Sequence, residues 1–280
     1  MSKIRPLVTL CLIALWTALL LPVQMLAVAV RSGLALAVPR LYHAGLCRLL
    51  RIRVEVEGEV AMARPVLFVC NHVSWIDILV LAKLLPAAFI TKQEVAGWPL
   101  FGLLAKLHGA VFIERRQART REQRDEMGRR LDEGGSLILF PEGTSSDGIR
   151  LLPFKSAFFS LAEQPVTGRP LVVQPISLTF ATLDNLPVGR RSMSLYAWVG
   201  DQELVPHLWR FLGVGPSSVV VQFHPPVTIE AFASRKALCR HCSDVIRRGV
   251  SDVLAGRRRP RPPRLDSRAE IASVAPICEP

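Results

Sequence analysis

The stretch from Leu7 to Val30 runs for 24 residues without a charge. As a helix it would measure about 36 Å at roughly 1.5 Å per residue, enough to cross a hydrocarbon core of about 30 Å. Lys3 and Arg5 precede it and Arg31 closes it. A second mostly apolar stretch, 32–50, carries Arg40, His43 and Arg48 along its length and turns near Pro39. That pattern suits a helix lying in the membrane interface, or a short helix that returns after a turn. Two other readings exist. A cleaved leader would use the small residues Ala27-Val28-Ala29, but its apolar region would be shorter and would not be followed by more apolar sequence. A buried helix of a soluble core would need less length. The expectation is therefore a membrane-anchoring helical segment over 1–50, as a full span or as an insertion in one leaflet. The arginines that flank it place the remaining chain on the cytoplasmic side of the inner membrane.

Composition supports the same setting. Half of the residues are hydrophobic and 21% are charged, which excludes a disordered chain. Mean hydropathy is +0.31, yet the net charge is +12. An apolar chain with a basic surface suits anionic lipid or acidic ligands. Nucleic acid fits the charge alone; the long apolar run and the lack of a binding motif argue against it. Six scattered cysteines do not make a disulfide scaffold, and Cys11, Cys47 and Cys70 sit in apolar runs as small core residues. Cys239-Arg240-His241-Cys242 has the spacing of half a zinc site, but no second pair exists, with His224 and Cys278 the nearest other ligands. An amphipathic helix is the expectation there, and no metal.

From residue 51 onward, short apolar runs alternate with amphipathic ones. Strands are expected at 53–57, 66–70, 88–91, 110–113, 136–140, 171–179, 193–199 and 219–223, with helices at 75–85 and 120–133. This order predicts an α/β domain over 51–256, its sheet mainly parallel and flanked by helices. At 257–264 the chain reads RRRPRPPR, five arginines with three prolines. Proline and charge prevent packing there, so 257–280 is expected to be a disordered basic tail suited to anionic lipid.

Three segments carry chemistry. Asn71-His72-Val73-Ser74-Trp75-Ile76-Asp77 follows an apolar run and opens a helix, the place where α/β sheets gather ligands. His72 is the side chain there suited to proton transfer near neutrality. Five residues of unbroken helix would turn Asp77 away from it. With His72 in the preceding turn and Asp77 in the first helical turn, Asp77 can accept from one ring nitrogen and leave the other as base. The same spacing fits a capping box with Ser74 as N-cap. Phe140-Pro141-Glu142-Gly143-Thr144 places a carboxylate at another strand end, with Gly143 free to turn. Phe112-Ile113-Glu114-Arg115-Arg116 places arginines at a third, where a guanidinium can grip an anion.

Together these segments resemble the glycerolipid acyltransferase family, of which 1-acylglycerol-3-phosphate acyltransferases are the bacterial type. NHxSxxD is matched at Asn71, His72, Ser74 and Asp77, the arginine-ended strand at 111–115, FPEGT at 140–144, and a proline-bearing strand at 173–176. The resemblance implies that His72 takes a proton from the free hydroxyl of a lysolipid while Asp77 orients it. The oxygen then attacks an acyl thioester carried on acyl carrier protein (acyl-ACP) or coenzyme A (acyl-CoA). It implies an acceptor site at Arg115, Glu142, Gly143 and Thr144, and no cofactor. The absence of a G-x-S-x-G elbow agrees with a nucleophile supplied by the substrate. One departure stands out. Where the family's third block continues with arginine, this chain has Ser145, which cannot offer a charged fork to phosphate. Lys155 is the replacement charge in the same region. The stretch from FPEGTSSDG to LPFKSAFF is similar to a subgroup that includes lyso-ornithine lipid acyltransferases. The sequence alone therefore puts phosphatidic acid synthesis first and ornithine lipid synthesis close behind.

Overall fold

The computed structural model describes residues 4–63, 65–113 and 120–257. Strand β1 (Ile52–Glu57) precedes β2 (Val66–Cys70), which is buried at every position. Successive β2 side chains enter opposite layers: Val66, Phe68 and Cys70 join one core, Leu67 and Val69 the other. A strand covered on both faces needs an unbroken apolar run, and VLFVC supplies it.

The remaining strands are β3 (Ala87–Lys92), β4 (Val111–Ile113), β5 (Ser136–Leu139), β6 (Val172–Leu183), β7 (Leu186–Pro187) and β8 (Ser217–Phe223). They form an eight-stranded sheet in the order β1-β8-β6-β2-β5-β3-β4, with β7 pairing the end of β6. From β6 to β4 every neighbour is parallel. β8 runs antiparallel to β6, and β1 follows β8 in parallel. The expected mainly parallel α/β sheet is thus present. The carboxyl ends of β2, β5, β3 and β4 all open on one edge, the place where such sheets hold ligands.

Helices cover both faces. One layer holds α2 (Leu34–Leu49), α3 (Ile76–Leu84) and α7 (Leu204–Leu212). The other holds α5 (Thr120–Asp132), α8 (Arg235–Leu254) and a 3₁₀ turn at Ser156–Glu163. Ser234 caps α8 by accepting from the Ala237 amide at 3.3 Å. Cys239 and Cys242 point from α8 into that core, where burial pushes the Cys242 thiol up to about 12. These are packed thiols on an amphipathic helix.

One expected strand is absent. Residues 193–199 follow a single helical turn, α6 (Arg190–Met193), and continue as a loop. Met193, Tyr196 and Ala197 are buried in the α2–α3 layer. A short apolar run signals burial before it signals a strand. Residues 258–280, all but the first residue of the expected disordered tail, lie outside the described residues.

The amino-terminal helix α1 (Ile4–Ala29) inverts the usual order of inside and outside. Its buried positions are Pro6, Thr17, Gln24 and Ala27, while Leu7, Leu15, Leu19 and Leu26 are each more than half exposed. By length and composition it is able to cross a membrane. It packs along α2, and Gly45 sets the approach: a Cβ there would lie 2.3 Å from Trp16 Nε1. That indole instead donates to the Tyr42 carbonyl at 3.1 Å. Both ends of α1 are fastened to the α/β body. Arg5 donates to the Val214 carbonyl at 2.6 Å, and Gln24 to the carbonyl of Leu107, at the end of α4 (Phe101–Leu107), at 2.9 Å.

Gly45→Val should separate the two helices, costing about 2 kcal/mol as an overpacked contact. Thermal unfolding in detergent should show Tm lowered by several degrees; an unchanged Tm would mean that the Trp16–Gly45 contact does not hold the pair.

Candidate active site

The chain leaves β2 at Cys70, and the next residue anchors the exit. The Asn71 amide donates to the Leu178 carbonyl at 2.9 Å and accepts from its amide at 2.8 Å, so a side chain continues the β2–β6 ladder by one step. His72 follows, its backbone held at both groups. Its amide donates to Glu142 Oε1 at 2.8 Å, and its carbonyl accepts from the Ser146 amide at 2.8 Å and hydroxyl at 2.9 Å. The imidazole stacks on Phe140 with ring centres 4.2 Å apart. Neither the backbone nor the ring of His72 depends on the substrate for its position.

Asp77 sits in the first turn of α3 and is completely buried, whereas the His72 side chain keeps 18% exposure. Asp77 Oδ2 accepts from His72 Nδ1 at 2.8 Å, from the Val73 amide at 2.6 Å and from the Ser74 amide at 2.9 Å. The free amides at a helix start are natural partners for a carboxylate. Because Nδ1 must carry the proton in this bond, Nε2 is left as the basic nitrogen. His72 meets Asp77 from the preceding turn, as the spacing required.

The capping reading of Ser74 is corrected. Trp75 occupies the cap position without a side-chain bond to the helix start, and the buried Ser74 hydroxyl has no partner among the described residues. Only the returning half of a capping box is built, with Asp77 reaching back to the Ser74 amide. The carboxylate, occupied by His72, fixes the turn before the serine hydroxyl can reach α3.

Glu142 lies in the turn that follows β5 and is 2% exposed. Besides the His72 amide it accepts from the Leu152 amide at 2.8 Å. It is a brace beneath the histidine. Burial raises its carboxyl to about 7; the two amides oppose the shift, and Asp77 adds to it. Gly143 turns with φ 73°, and a Cβ there would meet Lys155 Nζ at 2.9 Å, so the lysine lies across the glycine. Ser145 donates to the Trp198 carbonyl, and the Trp198 amide donates to the Val73 carbonyl at 3.0 Å. The 193–199 segment therefore ties the first block to the third.

His72, Phe140, Gly143, Thr144 and Lys155 open on a cavity of about 590 Å³ that continues between α1, α2 and α4. The structure thus brings His72, Asp77, Glu142, Gly143, Thr144 and Lys155 together. Arg115 lies outside the described residues; Ile113, two positions earlier, lines the cavity. Sequence reasoning missed Ser146, Trp198 and the polar residues Gln24 and His43, which also line the cavity or brace it. Isolated polar residues within apolar helices were the signal available for the last two. Among the described residues, no group of three or more His, Cys, Asp or Glu side chains is placed to hold a metal ion.

The acyltransferase family profile matches residues 51–179, the segment that carries all these blocks. A lyso-ornithine lipid O-acyltransferase of Rhizobium meliloti (strain 1021) is 42% identical over 90% of this chain and 88% of its own length. The chain belongs to the acyltransferase family. A second lyso-ornithine lipid O-acyltransferase, from Brucella abortus (strain 2308), is 38% identical over 86% of this chain and 92% of that one. A 1-acyl-sn-glycerol-3-phosphate acyltransferase of Neisseria meningitidis is 33% identical over 74% and 78%. The crystal structure of the 1-acyl-sn-glycerophosphate acyltransferase of Thermotoga maritima shares the fold, with a TM-score of 0.66 at 22% identity, over 91% of this chain and 98% of that one.

Because the folded Glu142 binds its proton more tightly than the unfolded one, the fold holds the extra proton between about pH 4.5 and 7. Stability then falls as pH rises through that window. Relative to Glu142→Gln, wild type should lose stability from pH 5 to pH 8, by on the order of 1–3 kcal/mol. Chemical unfolding at several pH values tests this, and a constant difference would mean that Glu142 is ionised throughout.

Proposed function

We propose that this acyltransferase moves a fatty acyl chain from a thioester to the free hydroxyl of lyso-ornithine lipid, at the cytoplasmic face of the inner membrane. The observation that carries the acyl-transfer reading is the His72–Asp77 pair, 2.8 Å apart at the mouth of a largely apolar cavity. His72 Nε2 takes the proton of the acceptor hydroxyl, and the oxygen attacks the thioester carbonyl. Asp77 holds Nδ1–H and stabilises the imidazolium. Collapse of the intermediate forms the ester and expels the thiolate, which recovers the proton from His72. The donor is carried on acyl carrier protein or coenzyme A. Its chain has to leave water, and the cavity offers it an apolar slot. The acceptor is already a lipid and keeps its own chain in the bilayer.

The choice of acceptor reverses the order read from sequence. The names of the two relatives at 42% and 38% identity favour lyso-ornithine lipid over 1-acylglycerol-3-phosphate. The site agrees. Ser145 is occupied with the Trp198 carbonyl, and Lys155 is a single ammonium across Gly143. One ammonium suits the carboxylate of ornithine better than a phosphate dianion, which favours a guanidinium fork. Glu94, on the cavity wall, suits the free amine of ornithine. The basic surface serves anionic lipid and, with acyl carrier protein as donor, an acidic partner. The two fastened ends of α1 favour insertion in one leaflet over a span, because a helix that crosses the bilayer cannot touch the same folded body at both ends.

Detergent-solubilised protein offered lyso-ornithine lipid and 1-acylglycerol-3-phosphate side by side should acylate the first with at least ten-fold higher kcat/KM. His72→Ala should remove transfer, and Lys155→Met should raise KM for the acceptor while leaving that of the donor. Faster transfer to 1-acylglycerol-3-phosphate would restore the phosphatidic acid reading, and full activity of His72→Ala would remove the base. Cysteines placed at Ile4 and Arg240 should react with an impermeant maleimide from the same side of sealed vesicles; reaction from opposite sides would establish a span.

A further inference from the structure

Helix α7 presents three different faces. His207 and Phe211 are buried in the core. Leu204 and Leu208 line the cavity. Val205 and Trp209, one helical turn apart, are 72% and 43% exposed. Successive helical residues turn by about 100°, so these faces follow one another in a fixed order. The Val205–Trp209 stripe lies beside the cavity-lining stripe. Arg210, also exposed, lies about 100° beyond Trp209 on the side away from the cavity.

A lone exposed valine needs no explanation, since much of any protein surface is apolar. The setting of this pair is different. α7 packs against α1, and Ile13 of α1 and Leu208 of α7 rest on the same core. Arg5, at the start of α1, donates to the Val214 carbonyl just past the end of α7. α1 is buried along one stripe only, and Leu7, Val8, Leu12 and Leu15 are exposed around it. By length and composition that outer surface is able to meet lipid. The apolar stripe of α7 thus extends a surface that α1 already presents. Residue type decides what covers the stripe. Tryptophan favours the boundary between hydrocarbon and head groups, and an adjacent arginine suits lipid phosphate.

We propose that α7 is a second membrane-contact element, an interfacial helix that inserts Val205 and Trp209 into the same leaflet as α1 and sets Arg210 among the head groups. The inference rests on the reading above that α1 lies in one leaflet. A single inserted helix is free to roll about its own axis, and a second contact on the α/β body stops the roll. Because Leu204 and Leu208 line the cavity, this contact also holds the cavity at the bilayer surface, where a lysolipid presents its hydroxyl.

The experiment places single cysteines at Leu15, Trp209 and Arg240, each labelled with an environment-sensitive nitrobenzoxadiazole dye. Cys11, which is exposed, and Cys278 are replaced by serine; Cys47, Cys70, Cys239 and Cys242 are buried. Arg240 is exposed on α8, in the layer across the sheet from α7. On vesicles of equal parts phosphatidylcholine and phosphatidylglycerol, the dye at Trp209 should shift to the blue and be quenched by nitroxide lipids. The dye at Arg240 should stay in water. Quenching at Leu15 but not at Trp209 would overturn the α7 contact alone, whereas quenching at neither would remove the membrane attachment itself. A second readout uses Val205→Ser with Trp209→Ser, two positions outside the cavity lining. Transfer to a short-chain acceptor dissolved as monomers should be unchanged, which reports an intact fold. The KM for a lipid acceptor diluted in vesicles should rise about ten-fold, the worth of roughly one apolar side chain kept out of hydrocarbon. An unchanged vesicle KM would also overturn the proposal.

Discussion

A single carboxylate oxygen holds the catalytic edge together. Asp77 Oδ2 collects the His72 ring and two amides of the turn between β2 and α3. Burying that charge is expensive, and hydrogen bonds from a helix start are the arrangement that offsets it. The consequence is geometric. The strand has to end where it does, the helix has to begin where it does, and the imidazole has to present Nε2 outward. Glu142 repeats the device one strand away, clamping the His72 amide from the turn after β5. Burial above all, with Asp77 adding to it, makes Glu142 hold its proton more tightly. The brace beneath the histidine is then neutralised toward acid pH.

The amino-terminal helices complete the site by inverting the usual packing rule. In α1 the polar residues Thr17 and Gln24 face inward and leucines face outward. Length and composition allow that outer face to meet lipid, while unpaired polar groups are costly against hydrocarbon. The inner polar residues do not fill the space against α4, and a cavity results that begins at His72 and ends at Gln24 and His43. One helix thus carries an exposed apolar face outside and helps wall the cavity with polar residues inside.

Much of this was legible because it is local. VLFVC reads as a doubly covered strand, and NHVSWID and FPEGT lie within a few residues of strand ends, where chemistry collects. The segment 193–199 was misread because an apolar run reports burial but not the hydrogen bonds of the backbone. Ser74 was misread because a capping box and a buried carboxylate turn share one spacing. Ser146 escaped notice because its value lies in bonding the His72 carbonyl from 74 residues away. Arg115, the expected third element of the acceptor site, lies outside the described residues.

By itself the sequence determined the α/β alternation, the long apolar amino-terminal helix, the strand-end position of the histidine and its partner at a spacing that only a turn can close. All of these are written in residue type and short-range period. Only the tertiary structure decided that both ends of α1 are tied to the body, that a serine and a loop tryptophan knit the blocks, and that one cavity runs from His72 to Gln24 and His43. Each of those depends on which groups find hydrogen-bond partners across long separations in the chain, and a linear pattern carries no record of such pairings until the core has packed.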